Sequence, residues 1–245
     1  MKINIFLIII IFNVSLYSQD IQGVFTYKKD FSDFSLSTSK NDSLIKFKMN
    51  NLLKVLVENG SSVDFILKAN KKESLFFVND ILTKDNDKSK KYAIGIGDTK
   101  GVFYVNLDSK EILNKKESYG QLFLVKSSLN DKLWNITNES KKIGNYNCFK
   151  ATSEKIVENS KGTFKHHIEA WFTTEIPLNF GPAGYGGLPG LIIELKFQNI
   201  RFYLTKIELK RQNEVNVKKP MKGKLVTIKE FNKIGKEITK SFRRN

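Results

Sequence analysis

A mainly β fold, with one antiparallel sheet that curves or opens into a barrel under one or two helices, follows from three features of the chain. Segments of period-two hydrophobicity succeed one another across short turns, without the strand–helix alternation of parallel folds. Only two stretches carry helical spacing, one towards each end. Hydrophobic residues make up 40% of the 245, with Phe alone contributing 19, enough for one substantial core.

The elements can be taken in order. Residues 24–31 alternate loosely and predict an opening strand. Asn41-Asp42-Ser43 can cap a helix, and Ile45, Met49, Leu52, Leu53 and Leu56 follow at helical spacing until Asn59-Gly60. Val63, Phe65 and Leu67 then alternate, Asn70-Lys71-Lys72 turns, and residues 74–78 return, which is a hairpin pattern. Residues 85–91 are charged and read as a loop. Residues 92–96, 102–107, 121–126 and 132–137 read as short strands, with Gly97-Asp98, Asp108-Ser109 and Asn130-Asp131 as turns. Residues 146–152 and 163–173 predict a second hairpin, and 190–197 with 200–209 a third, joined at Gln198-Asn199. Thr227 and Glu230 fit a capping box ahead of Phe231, Ile234, Ile238 and Phe242 at helical spacing, with Gly235 weakening the helix. No internal repeat or linker interrupts the series, so residues 19–245 read as a single domain.

The first 18 residues are a different kind of segment. Lys2 precedes an unbroken apolar run at residues 5–12, and the small Ser18 precedes a cut before Gln19. That pattern predicts export through a cleaved signal peptide, to the periplasm or beyond. The apolar run is too short to span a bilayer, which takes about 20 residues. No other segment is apolar enough to cross, so the mature chain has no transmembrane segment.

The formal charge is +16 at pH 7, of which the signal peptide supplies only Lys2. Such a balance favours anionic partners. Export argues against nucleic acid, and no aromatic-plus-basic recognition motif is present. An anionic ligand or envelope surface fits better, beside the plainer reading of lysines spread over a solvated surface. Cys148 is the only cysteine, which excludes an intramolecular disulfide and a multi-cysteine metal site.

Candidate chemistry is sparse. His166 and His167 are the only histidines, and consecutive strand residues point to opposite faces. They cannot chelate one ion from a regular strand. A metal site would need one of them with Cys148 and a carboxylate such as Glu169 or Glu175. Cys148 with a histidine could also form a nucleophile–base pair, against the plainer reading of a buried, inert thiol. No Gly-x-Ser-x-Gly, His-Glu-x-x-His or phosphate-cradling loop occurs, and no cofactor is implied.

The densest signal is residues 175–195, which hold three of the four prolines and five of the fifteen glycines. Proline fixes φ and glycine opens positive φ, so this composition encodes a particular backbone path. Tyr185 and Leu188 are its bulky groups. The loop either offers a preformed contact or plugs one end of the sheet.

Gly187-Leu188-Pro189-Gly190-Leu191-Ile192 resembles the signature of the GLPGLI family. Residues 144–152, Gly-Asn-Tyr-Asn-Cys-Phe-Lys-Ala-Thr, resemble that family's Gly-x-Tyr-x-Cys-x-Lys-Ala-Thr segment. Residues 170–177, Ala-Trp-Phe-Thr-Thr-Glu-Ile-Pro, resemble its Ala-Trp-Phe-Thr-x-Glu-Ile-Pro segment, and Gly181-Pro182 falls where it has Gly-Pro. Residues 73–76 and 103–106 are similar too, so the likeness runs from about residue 23 to the C-terminus. Lys165-His166-His167 stands where the family often has an Arg-Gly-Arg-like segment. The resemblance implies an exported, β-rich protein of Bacteroidota type with no assigned activity, cofactor or ligand. Tyr146, Cys148, Trp171, Pro189 and Gly190 are motif positions without an assigned role.

The functional expectation is an envelope-associated binding or accessory protein without catalysis. Its contact region would comprise Trp171, Tyr185, Leu188, Pro189 and His166. Its partner would be an envelope protein, an outer-membrane transporter, or an anionic ligand or surface. The alternatives are a metal-binding or thiol-dependent enzyme using Cys148 with His166 or His167, and a structural or assembly component held by the basic C-terminal helix.

Overall fold

The computed structural model describes residues 21–33, 43–79, 88–96, 100–159, 162–197, 199–211 and 214–242. Residues 1–18, expected from the sequence to be a signal peptide, lie outside them, as do Asn41 and Asp42 of the expected cap on the first helix. Strand β1 (Gln22–Asp30) is followed by helix α1 (Ser43–Gly60), then β2 (Phe65–Ala69), β3 (Glu73–Val78), α2 (Lys88–Gly95), β4 (Val102–Asn106), β5 (Glu111–Ser118) and β6 (Gln121–Ser128). A short 3-10 turn (Leu129–Asp131) leads to β7 (Asn135–Ile143), β8 (Tyr146–Asn159), β9 (Gly162–Thr173), β10 (Leu191–Phe197), β11 (Ile200–Lys210), β12 (Lys224–Thr227) and α3 (Ile228–Phe242).

The twelve strands among the described residues form one open sheet in the order β12-β6-β5-β4-β3-β2-β1-β11-β10-β9-β8-β7. The chain starts at the centre and meanders outward from β1 to β6. It then crosses to β7 at the far edge and meanders back until β11 pairs with β1. Each neighbouring pair is antiparallel except β12 with β6, which is parallel. The expected mainly β fold is thus found, with one parallel pair at the edge that makes the sheet mixed. Parallel neighbours need a crossover, and the extended segment 214–223 supplies it over the outer face. Gln22 fixes its start, donating to the Arg211 carbonyl at 2.5 Å and accepting from the Val215 N–H at 3.1 Å. Val217 then packs on Tyr104, Leu113 and Leu124, and Lys219 meets Glu111 at 2.5 Å.

The sheet bends so that its two wings share one core. Phe25, Phe65, Phe76 and Phe103 of the first wing belong to the same buried cluster as Ala151, Ala170, Leu195 and Phe202 of the second. Phe65 stacks on Phe76 with ring centres 5.7 Å apart, and Phe202 meets both rings edge-on. The loop between β9 and β10 fills the space between the wings. Helix α3 lies over the β6–β12 edge, with Phe231 and Ile234 on Phe123, Val125 and Val226, and also reaches β8. At another end Leu56 of α1 and Ala93 of α2 pack with Phe31 and Ile200.

Residues 92–96 are not a strand. Ala93 to Gly95 lie in the helical turn of α2, for a reason outside the segment itself. Lys29 of β1 is fully buried, and its ammonium donates to the carbonyls of Ala93 (2.8 Å), Ile94 (3.2 Å) and Ile96 (2.9 Å). A helix C-terminus offers such unpaired carbonyls and a negative dipole end. The same ammonium sits 4.9 Å from the Phe65 ring centre and 5.3 Å from that of Phe202. Burial still pushes Lys29 well below the usual lysine range.

Strands β5 and β12 have no counterpart among the expected elements, and β7 lies further along than residues 132–137. Charged Glu111, Lys115, Lys116 and Glu117 hid β5, and a length of four residues hid β12. The part of the charged loop at residues 85–87 lies outside the described residues, while Lys88 opens α2.

Candidate functional site

The Pro/Gly loop is built into the core. Tyr185 is 4% exposed and Leu188 1%, and Ile176, Leu178 and Phe180 are buried with them. An isolated bridge links Phe180 to Gly186. The Gly187 N–H donates to the Asn179 carbonyl at 2.9 Å, and the Ile192 N–H to that of Phe180 at 3.0 Å. Trp134 Nε1 donates to the Gly186 carbonyl at 2.9 Å, and Lys132 Nζ to that of Gly184 at 3.0 Å. The loop therefore plugs the space between the wings. Tyr185 and Leu188 are unavailable as an exposed contact, whereas Pro189 is exposed and Trp171 and His166 are half-buried.

The structure does not bring Cys148 to a histidine. In the β8–β9 register His166 pairs with Lys155 and His167 with Glu154, at the other end of the hairpin from Cys148. Six or seven residues of strand separate them, roughly 20 Å. Cys148 is fully buried, its thiol pushed up to about 11 by burial and by nearby Glu194. A thiol in that state is neither a ready nucleophile nor a ready ligand. Among the described residues no group of three His, Cys, Asp or Glu side chains could hold a metal ion.

What the sheet does assemble is a polar groove on its outer face beside Trp171, of about 350 Å³. Strand alternation explains its composition. In β9, β10 and β11 the inward positions are apolar, so Glu169, Trp171, Glu194, Lys196 and Arg201 are left on the outer side. Arg201 bridges Asp30 at 2.8 Å and Glu194 at 3.4 Å. Lys141 from the edge strand meets Glu194 at 2.8 Å and lies 4.3 Å from the Trp171 ring centre. Trp171 Nε1 donates to Glu169 at 2.9 Å, and Lys150 meets the same carboxylate at 3.3 Å. Lys196 pairs with Asp33 at 2.6 Å.

These pairings set the protonation states. Burial alone would raise Asp30, but the Ser32 N–H and the Arg201 guanidinium hold it below its ordinary value. Burial likewise acts upward on Glu169, and Trp171 Nε1 and Lys150 outweigh it. Both carboxylates are thus fixed as anions, suited to pairing with a cation and unsuited to delivering a proton. Of the residues singled out in the sequence as contacts, only Trp171 lies in this groove. Asp30, Lys141, Glu194 and Arg201 were missed. For Glu194 and Arg201 the one local signal was a charged residue inside an otherwise apolar strand; Asp30, after two lysines, and Lys141, in the polar strand β7, gave none.

The chain is similar to an uncharacterised family. The family model described as "Protein of unknown function (Porph_ging)" matches residues 134–166 and 158–194, from β7 to the start of β10. That stretch includes Trp171 and the whole Pro/Gly loop. No curated protein matches the chain. Two solved structures of PNGF-II share the fold. One, in a C2 crystal form, is 16% identical over 87% of this chain and 32% of that one, with a TM-score of 0.51. The other, in a P21 form, is 14% identical over 87% and 33%, with a TM-score of 0.52. The chain spans about a third of the length of those proteins.

Proposed function

We propose that this is an exported, envelope-associated member of the GLPGLI family that works as a binding or accessory module, with the groove beside Trp171 as its contact site. The observation that carries the reading is the groove's charge pattern. Four carboxylates and three cations line it, already joined into ion pairs on a chain of net charge +16. A partner bearing both charges can exchange with those pairs one for one, without leaving a buried charge uncompensated. The indole of Trp171 adds an apolar surface among them. A peptide segment carrying both an acidic and a basic side chain has this chemistry. The recurrence of the fold within a chain three times as long, as about a third of PNGF-II, supports an accessory role.

The test uses the mature protein and an array of short peptides carrying acidic, basic or mixed side chains. Mixed-charge peptides should bind best, and added salt should weaken them. Arg201→Ala and Trp171→Ala should each lower affinity at least tenfold, about 1.4 kcal/mol. An equal response to all three peptide classes, or binding indifferent to both substitutions, would remove the groove as the site. Cell fractionation with sequencing of the mature N-terminus checks export, Gln19 being the expected first residue.

A further inference from the structure

The wing of the sheet far from the groove carries a surface of a different kind. The crossing segment 214–223 lies over the outer face of β4–β6 and delivers β12 to the edge. It carries Lys218, Lys219 and Lys222, all exposed; Lys224, next in line, pairs with Phe123 and so lies on the other side, under α3. Register adds two more lysines to the same face: Lys115 stands opposite Leu124, and Lys126 opposite Leu113. The acids facing them are Glu111 and Glu117 of β5, Glu73, which holds the Tyr104 hydroxyl, and Glu214 at the start of the segment. Glu111 is neutralised twice over, by Lys219 at 2.5 Å and Lys126 at 3.2 Å. Lys218 and Lys222 make no ion pair among the described residues.

Apolar side chains stand out among these charges. Met221 is 79% exposed, Leu225 61%, and Ile228, at the start of α3, 44%. Leu225 neighbours Leu124 in the β12–β6 register, so it points outward on the same face as Lys126. Lysines that only keep a surface hydrated do not need three bare aliphatic side chains within eight residues. Cations interspersed with exposed aliphatic groups on one convex face match the chemistry of a lipid headgroup layer, where ammonium groups meet phosphates and aliphatic tips enter the interface.

We propose that the face formed by segment 214–223, β12 and the outer side of β5–β6 docks the protein on an anionic lipid surface. This goes beyond the Trp171 groove. It leaves that groove, on the opposite wing, open to its partner while the protein is held at the membrane. The helix α3 contributes its first turn only. Its apolar stripe, Phe231 and Ile234, is already spent on the sheet.

The test is co-sedimentation of the mature protein with vesicles, either mixed phosphatidylglycerol–phosphatidylcholine or phosphatidylcholine alone. Binding is expected to the mixed vesicles only, to fall with added salt, and to withstand millimolar inorganic phosphate. Each lysine at such a surface contributes about fivefold in partitioning, so Lys218→Glu with Lys222→Glu should weaken binding more than tenfold. Met221→Ser with Leu225→Ser should also weaken it, and these exposed positions leave folding intact. Lys48→Glu with Lys54→Glu on α1 is the control for diffuse charge and should leave binding within about twofold. Absence of binding overturns the proposal, as does equal loss with the α1 pair, insensitivity to the Lys218 and Lys222 changes, or displacement by inorganic phosphate. Peptide binding at the groove is read independently, so failure here does not touch that reading.

Discussion

A Cβ placed on Gly190 would lie 1.9 Å from the Thr173 carbonyl oxygen, on a backbone with φ of +153°. Gly187, three residues earlier, has φ of +86° with nothing within 4 Å of a Cβ. The two glycines of the motif therefore answer different demands, close approach in one case and backbone sign in the other. Gly187→Ala should cost about 1–2 kcal/mol in denaturant unfolding, the price of left-handed backbone. Gly190→Ala should cost more than about 3 kcal/mol, since strand β9 would have to move. Equal costs would mean that the approach to Thr173 is not what Gly190 provides. The sequence showed that these positions mattered but not which constraint each met, because the clash is with Thr173, at the end of a strand seventeen residues upstream. Trp171 was legible for a related reason: it sits in a strongly patterned strand, on the side opposite Phe172.

At the scale of elements, α3 is the clearest case of local coding. The Thr227 hydroxyl accepts the Glu230 N–H at 3.2 Å, and the Glu230 carboxylate accepts the Thr227 N–H at 2.7 Å. Both bonds are those expected from the residues alone. Thr227→Ala should lower stability by about 1 kcal/mol, with faster hydrogen exchange in α3 and unchanged exchange in β1 and β11. Uniform acceleration across the sheet would show that α3 and the core open as one unit. The opposite case is α2, whose helical turn is held by Lys29, a residue 64 positions from Ala93. No window around residues 92–96 contains that information. Strand β5 failed differently: Ile112 faces the core and Leu113 the outer face under Val217, and both are flanked by charges that only the neighbouring strands and Lys219 explain.

The whole molecule couples its excess of lysine to pH. Burial lowers Lys132 to about 7, with repulsion from Lys155 adding to it and Asp131 opposing. Lys29 is lowered by burial as well. An unfolded lysine titrates near 10.4. Between about pH 7 and that value the unfolded chain binds more protons than the folded one, so stability rises with pH. Shedding charge from a molecule of +16 acts in the same direction. Urea unfolding across that range should show the rise. Lys132→Met should reduce its slope by up to about 1.4 kcal/mol per pH unit. An unchanged slope would mean that Lys132 keeps its proton in the folded state throughout.

The sequence by itself determined the elements whose constraints are local: the alternating strands β1–β4, β6 and β8–β11, helix α1, the capped helix α3, and the Pro/Gly path. Period, caps and turns act over a few residues, so they can be read within a window. The tertiary structure decided what depends on distant neighbours. It placed the Pro/Gly loop inside the core, because its apolar side chains fill the gap between two wings that meet only when the sheet bends. It separated Cys148 from the histidines by the length of a hairpin. It made β12 parallel, because the crossing segment is lashed to Gln22 and Glu111. It joined Asp30, Trp171, Glu194 and Arg201 into one groove, since strands far apart in the chain become neighbours only through the order of the sheet.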